Sequence, residues 1–193
     1  PTSFRETINL LGTALELRHA KPQKVKDGPC KEVIIKGDDL KNAGTELPTL
    51  LNFPIQQCWP QDAGRFITLP CVVTQDPDSG ARNLGIYRMQ VFDETTTAMH
   101  WQTHKVGSRH YRISGERGED RLPVAVALGA DPATIWTGSA PLPPDMDEMI
   151  VAGFLREDGV DLVKGKTVDL MIPAQAEIVL EGYVGPGGER AEG

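Results

Sequence analysis

The chain has 193 residues, enough for one substantial hydrophobic core. Its 27 acidic residues against 20 basic ones give a formal net charge of −7, and with no basic run this excludes a nucleic-acid-binding class. No apolar run is long enough to span a bilayer and no leader pattern opens the chain, so neither a membrane role nor export is expected, and the cytoplasm is the expected compartment.

In chain order, Ile8, Leu11, Ala14 and Leu15 fall at helical spacing and predict a short amphipathic helix over 7–17, ended before Pro22. Most of the chain beyond Pro22 predicts strands. Segments 33–35, 65–73, 85–92, 123–128, 167–172 and 176–184 are short β-branched or alternating runs bounded by Gly, Pro, Asp and Asn. Asp76-Pro77-Asp78-Ser79-Gly80 predicts a hairpin turn between two of them. Segments 131–135 and 144–154 predict two short helices with acidic first turns. Many strands, few helices and no internal repeat point to a mainly β fold, a barrel or sandwich with helices packed outside. Residues 1–46 are expected to be a lead-in and 47–193 the domain proper, and the ends at Pro1 and Gly193 suggest a piece of a longer chain. Cys30, Cys58 and Cys71 form no CxxC pair, so buried free thiols are expected rather than disulfides or a zinc knuckle.

Three stretches invite a chemical reading. Gly159 to Thr167, "GVDLVKGKT", ends like a phosphate-binding Walker loop, but five residues separate its first glycine from Gly-Lys-Thr where the motif needs four. An expected strand also comes after it, where that motif opens a helix. His100 and His104 have the spacing of a zinc pair on a helix, yet Trp101 stands where the general-base glutamate of such a zinc hydrolase belongs. Asn83-Leu84-Gly85-Ile86-Tyr87-Arg88 carries an arginine in an apolar strand, and a desolvated guanidinium must find an anion or carbonyl. Asn83 and Arg88 differ in strand parity, which sends them to opposite faces unless Gly85 marks a bulge.

The stretches "CWPQDAGRFITLPCVVTQDPDSGARNLGIYRMQ", "MHWQTHK", "PVAVALGADPATIWTGSAPLP" and "VDLVKGKTVDLMIPAQAEIVLEGYV" resemble, in order, the middle domain of the UbiD family of decarboxylases. The resemblance implies a split β-barrel like that of flavin reductases, binding prenylated flavin mononucleotide (FMN). It further implies non-oxidative decarboxylation or carboxylation of an unsaturated or aromatic carboxylic acid, within a homo-oligomer or as a subunit of a larger carboxylase. By the same resemblance, Asn83 and His104 match ligands of a Mn²⁺ or Mg²⁺ ion on the cofactor phosphate. Ile86, Gln102, Ser139, Ala140 and Pro141 match positions along the flavin. Arg88 matches the arginine of a catalytic Glu-Arg-Glu network, and Glu192 its first glutamate; the second would lie beyond Gly193. Lys164-Gly165-Lys166-Thr167 stands where the family commonly has Lys-Cys-Glu-Thr, so Lys166 is expected to replace a metal-binding carboxylate and to meet the phosphate without a metal. The alternative expectation is a non-catalytic binding or assembly subunit of a multi-subunit carboxylase that has lost the metal-ligand glutamate.

Overall fold

A computed structural model describes residues 18–37, 39, 49–143 and 146–185. The expected helix over 7–17, Glu192 and the start of the 144–154 helix lie outside the described residues.

The centre is a four-stranded antiparallel sheet in the order β10-β7-β3-β4, built from β3 (Cys71–Gln75), β4 (Arg82–Ile86), β7 (Leu122–Leu128) and β10 (Ile178–Val184). Cys71-Val72-Val73-Thr74 is buried throughout, as a strand covered on both faces must be. Side-chain alternation sorts it into two cores. Cys71, Val73, Leu84, Ala125 and Ala127 join one hydrophobic cluster, while Val72, Val126 and Tyr87 join the other.

The first face is covered by α2 (Pro132–Ser139) and α3 (Glu148–Arg156), which supply Ile135, Met149 and Ala152 to its cluster. Asp131 caps α2 by accepting from Ala133 and Thr134 N–H, and Asp147 caps α3 by accepting from Met149 N–H. The same cluster takes Leu162 and Ile172 from β8 (Asp161–Lys164) and β9 (Met171–Pro173), which form a second sheet with β1 (Gln23–Lys24), β1 running parallel to β8. The second face is covered by the sheet of β2 (Phe66–Ile67), β5 (Met89–Val91) and β6 (Thr97–Met99), and by α1 (Val106–Glu116). The result is mainly β with flanking helices, and the described residues close no barrel.

Four sequence expectations need correction. Segment 33–35 is no strand: Val33 is 74% exposed and finds no ladder. The 65–73 run is divided between β2 and β3, with Pro70, which cannot donate to a ladder, at the break. The 85–92 run is likewise divided between β4 and β5, so Arg88 stands at a junction and not inside a strand. In 167–172 only the end is strand: Gly165 N–H donates to Leu170 O (2.8 Å) across a tight β8–β9 turn that contains Lys166. α1 was not foreseen, because its buried positions are Gly107, His110 and Ser114, a helical spacing without apolar side chains.

Candidate functional site

Among the described residues β4 has no strand on its outer side, and buried polar side chains, Thr74, Asn83 and His110, gather in a corner beside it. Gly85 shapes this corner. A Cβ there would lie 2.3 Å from Tyr87 Cζ, so only glycine lets the Tyr87 ring fold back over β4. Its hydroxyl then accepts from Asn83 Nδ2 (3.3 Å) and from the backbone N–H of Gly107 in α1 (3.3 Å). Asn83 is 5% exposed and also donates through Nδ2 to Thr74 Oγ1 (3.4 Å). Trp101 stacks edge-on against Tyr87 with ring centres 6.0 Å apart, and a Cβ on Gly107 would come within 2.9 Å of its Nε1. Asn83 is thereby tied to the amino terminus of α1, and His104 stands on the exposed turn immediately before the Lys105 N-cap. That helix start has no side-chain cap and no acidic residue in its first turn. Its positive dipole end, and the first-turn N–H groups other than that of Gly107, suit an anion.

On the other side of β4, Leu84 N–H points off the sheet edge and donates to Glu148 Oε2 (3.1 Å) from the first turn of α3. Burial raises the Glu148 carboxyl above its ordinary value, and Asp147 adds to the rise, against the lowering N–H bonds from its own backbone and Leu84 and the charge of Arg82. Arg82, also on β4, is bound to Asp147 instead (Nη2 to Oδ2, 2.5 Å). Its Nε, like Trp101 Nε1, is buried without a hydrogen-bond partner.

The sequence-derived residues divide accordingly. Asn83 is linked through Tyr87 to Gly107 in the helix that follows the His104 turn. Ile86 packs on α2, where a Cβ on Gly138 would lie 3.3 Å from Ile86 Cδ1, so Ser139, Ala140 and Pro141, which end that helix, run past the same end of β4. Ser139 Oγ donates to Trp136 O (2.8 Å), and Gln102 is exposed beside the His104 turn. Arg88 is exposed, with its guanidinium 4.8 Å over the Phe66 ring, and its carbonyl accepts from His100 N–H (2.9 Å).

Lys166 is not brought to this corner. Its N–H and those of Thr167 and Val168 all donate to the carboxylate of Glu181 on β10 (2.7, 2.5 and 3.2 Å), and Thr167 Oγ1 adds a fourth bond (2.6 Å). Glu181 lies in register with Leu84 through Ala125 and Val73, so the Lys166 turn is three strands away from β4, roughly 14 Å. By alternation it is also on the face opposite Asn83. The residue that sequence reasoning missed is Glu148, because an acid in a helix's first turn reads as ordinary dipole compensation.

A cleft of about 180 Å³ is lined by apolar side chains, among them Leu50, Phe53, Ile55, Ile67, Leu128 and Leu180, with no polar side chain to orient a ligand. Among the described residues no helix is long and apolar enough to cross a membrane, and no three His, Cys, Asp or Glu side chains form a metal cluster.

The β4 edge of this mainly β domain thus combines a helix start without a side-chain cap, a hydrogen-bonded asparagine and a half-buried carboxylate. The family is specific: residues 22–193 match the family model "UbiD: 3-octaprenyl-4-hydroxybenzoate carboxy-lyase Rift-related domain", and the chain belongs to the UbiD family. An uncharacterised protein of Archaeoglobus fulgidus is 46% identical over 193 residues, 100% of this chain and 38% of that protein. One from Aquifex aeolicus is 46% identical over 186 residues, 96% of this chain and 36% of the relative. The UbiD-class enzyme HmfF of Pelotomaculum thermopropionicum, solved in complex with FMN, superposes with a TM-score of 0.79 at 32% identity, over 92% of this chain and 39% of the enzyme. Vanillic acid decarboxylase of Sedimentibacter hydroxybenzoicus superposes with a TM-score of 0.77 at 27% identity, over 96% and 39%. The chain thus spans about two-fifths of the length of the proteins it matches.

Proposed function

We propose that this chain is the cofactor-binding domain of a UbiD-type (de)carboxylase, with the phosphate of a prenylated FMN held at the β4 edge together with a Mn²⁺ or Mg²⁺ ion. The observation that carries the proposal is that adjacent residues of β4 engage the two flanking helices, Asn83 the start of α1 through Tyr87 and Leu84 N–H the half-buried carboxylate of Glu148, whose charge burial opposes. The residues fit both groups. Two buried orphan donors, Arg82 Nε and Trp101 Nε1, and the uncapped start of α1 suit an anion, while a carboxylate, an amide oxygen and an imidazole suit a divalent ion. Glu148 takes the place that sequence reasoning gave to an acid at position 166. The ground for a subunit that has lost its metal, the lysine at that position, is correspondingly weaker.

In this assignment Asn83, His104 and Glu148 hold the cation and the α1 start receives the phosphate. Ile86, Gln102 and the Ser139-Ala140-Pro141 segment line the flavin within residues 47–193, which we retain as the cofactor unit with 1–46 as its lead-in. The split-barrel frame of flavin reductases is the architecture proposed for that unit. Arg88 would hold a substrate carboxylate by its two-pronged fork, and Glu192 would deliver a proton to the carbon that loses carbon dioxide. When bound, prenylated FMN supplies the electron sink for that bond cleavage. The substrate is an unsaturated or aromatic carboxylic acid. Work as a homo-oligomer or a subunit of a larger carboxylase is consistent with structural relatives that include a dimeric form.

The test is FMN binding to the full chain, followed by quenching of flavin fluorescence, with Mn²⁺ and with chelator. Binding should require the divalent ion and be lost in Glu148→Gln, while Lys166→Ala binds as the parent does. Metal-independent binding abolished by Lys166→Ala would overturn the assignment.

A further inference from the structure

The polar contacts behind Asn83 continue inward to a histidine that the proposed chemistry does not use. His110 on α1 is 1% exposed, with Nδ1 3.0 Å from Thr74 Oγ1 and Nε2 3.6 Å from Asp76 Oδ2. Asp76 is held in the hairpin turn by N–H groups of Asp78 (2.9 Å) and Ser79 (3.1 Å), and Arg109 Nη2 stands 3.4 Å from its Oδ2. Burial alone would raise the Asp76 carboxyl, but those N–H bonds and, in the acid range where it titrates, the charges of protonated His110 and of Arg109 hold it below its ordinary value, so it is ionised near pH 7. Burial also lowers His110, against the pull of Asp76, so the ring is neutral near pH 7.

A neutral imidazole carries one proton, and the carboxylate beside Nε2 favours that proton on Nε2. Nδ1 is then an acceptor, and the single hydroxyl proton of Thr74, which is 0% exposed, is committed to it. Thr74 Oγ1 can only accept from its other neighbour, Asn83 Nδ2 (3.4 Å). The second proton of that amide goes to Tyr87 Oη (3.3 Å). A flipped amide would set Oδ1 against an oxygen with no proton to give. These bonds are long, so the value of the chain lies in direction rather than strength.

We propose that Thr74 and His110 are positioning residues that fix the Asn83 amide with its nitrogen inward and its carbonyl oxygen presented to the cation at the β4 edge. The inference rests on the reading of that edge as the cofactor-phosphate site. Groups that orient a metal ligand from behind typically contribute ~10–100-fold to affinity.

The test uses the full chain with FMN and reads free Mn²⁺ by electron paramagnetic resonance, alongside the side-chain amide signal of Asn83 in ¹⁵N-labelled protein. Thr74→Val keeps the shape and removes the hydroxyl. It should weaken Mn²⁺ binding about tenfold and speed exchange of the Asn83 amide protons, whereas Thr74→Ser should bind as the parent does. His110→Phe should show the same loss, with no further loss in the double variant, because both act through one chain of contacts. Should His110→Phe not fold, the Thr74 pair decides. If the parent binds Mn²⁺ with FMN and Thr74→Val is indistinguishable from it, the positioning role is overturned while the site stands. If the parent shows no Mn²⁺-dependent FMN binding, both fall together.

Discussion

At the scale of single residues, Glu148 is a carboxylate whose folded surroundings oppose its charge, burial being the main cause. A carboxyl raised on folding binds its proton more tightly in the native than in the unfolded chain. Without a cation, stability therefore falls as pH climbs from the unfolded value through the raised folded one. Glu148→Gln keeps an acceptor for Leu84 N–H and removes that cost. The metal-free variant should melt no lower than the parent at pH 7, converge with it below about pH 4, and lose all stabilisation by Mn²⁺. Marked destabilisation of the metal-free variant at pH 7 would mean that the carboxylate is structural. Arg88 poses a different residue-scale question, because its guanidinium now rests over Phe66. In cofactor-loaded protein, Arg88→Lys should retain the fold and lose about a hundredfold in turnover, as misplaced catalytic groups do; near-parental turnover would assign Arg88 to packing. Asn83 and His104 were legible as candidates because short motifs carry them. Glu148 was not, since nothing local distinguishes it from any other acid opening a helix.

At the scale of elements, the Lys166 turn shows how a pattern can mislead. Alternation over 167–172 suggested a strand directly after Lys166, but the turn folds around Glu181. Burial alone would raise that carboxyl, yet the Thr167 hydroxyl and the N–H groups of Lys166, Thr167 and Val168 bring it below its ordinary value. A depressed carboxylate contributes stability above its unfolded value, and that contribution disappears as pH falls through the folded one. Glu181→Gln turns an NH₂ group toward N–H donors and should cost about 2 kcal/mol in urea unfolding at pH 7, with the difference vanishing in acid. An unchanged midpoint at pH 7 would show that the clamp is ornamental. Strands β3, β7 and β10 and the hairpin at Asp76 were legible because their apolar runs and turn residues agree with the fold. The breaks at Pro70 and Tyr87 were not, because each run reads as continuous although its halves enter different sheets. α1 escaped for the reason that makes it useful: it buries His110 and Ser114 where a packing helix would bury leucines.

At the scale of the molecule, the β4 edge is where the two sides of the central sheet meet, with α1 behind Asn83 on one face and α3 carrying Glu148 from the other. The chain spans about two-fifths of its relatives' length, so binding within this domain is a more direct probe than turnover of the whole. The central claim is the position of the metal and phosphate. Crystals of the full chain grown with FMN and Mn²⁺ should show a manganese anomalous peak within coordination distance, roughly 2.2 Å, of Glu148 and Asn83 oxygens, with the FMN phosphate at the start of α1. FMN phosphate ordered against Lys166, with no manganese at the β4 edge, would contradict the account.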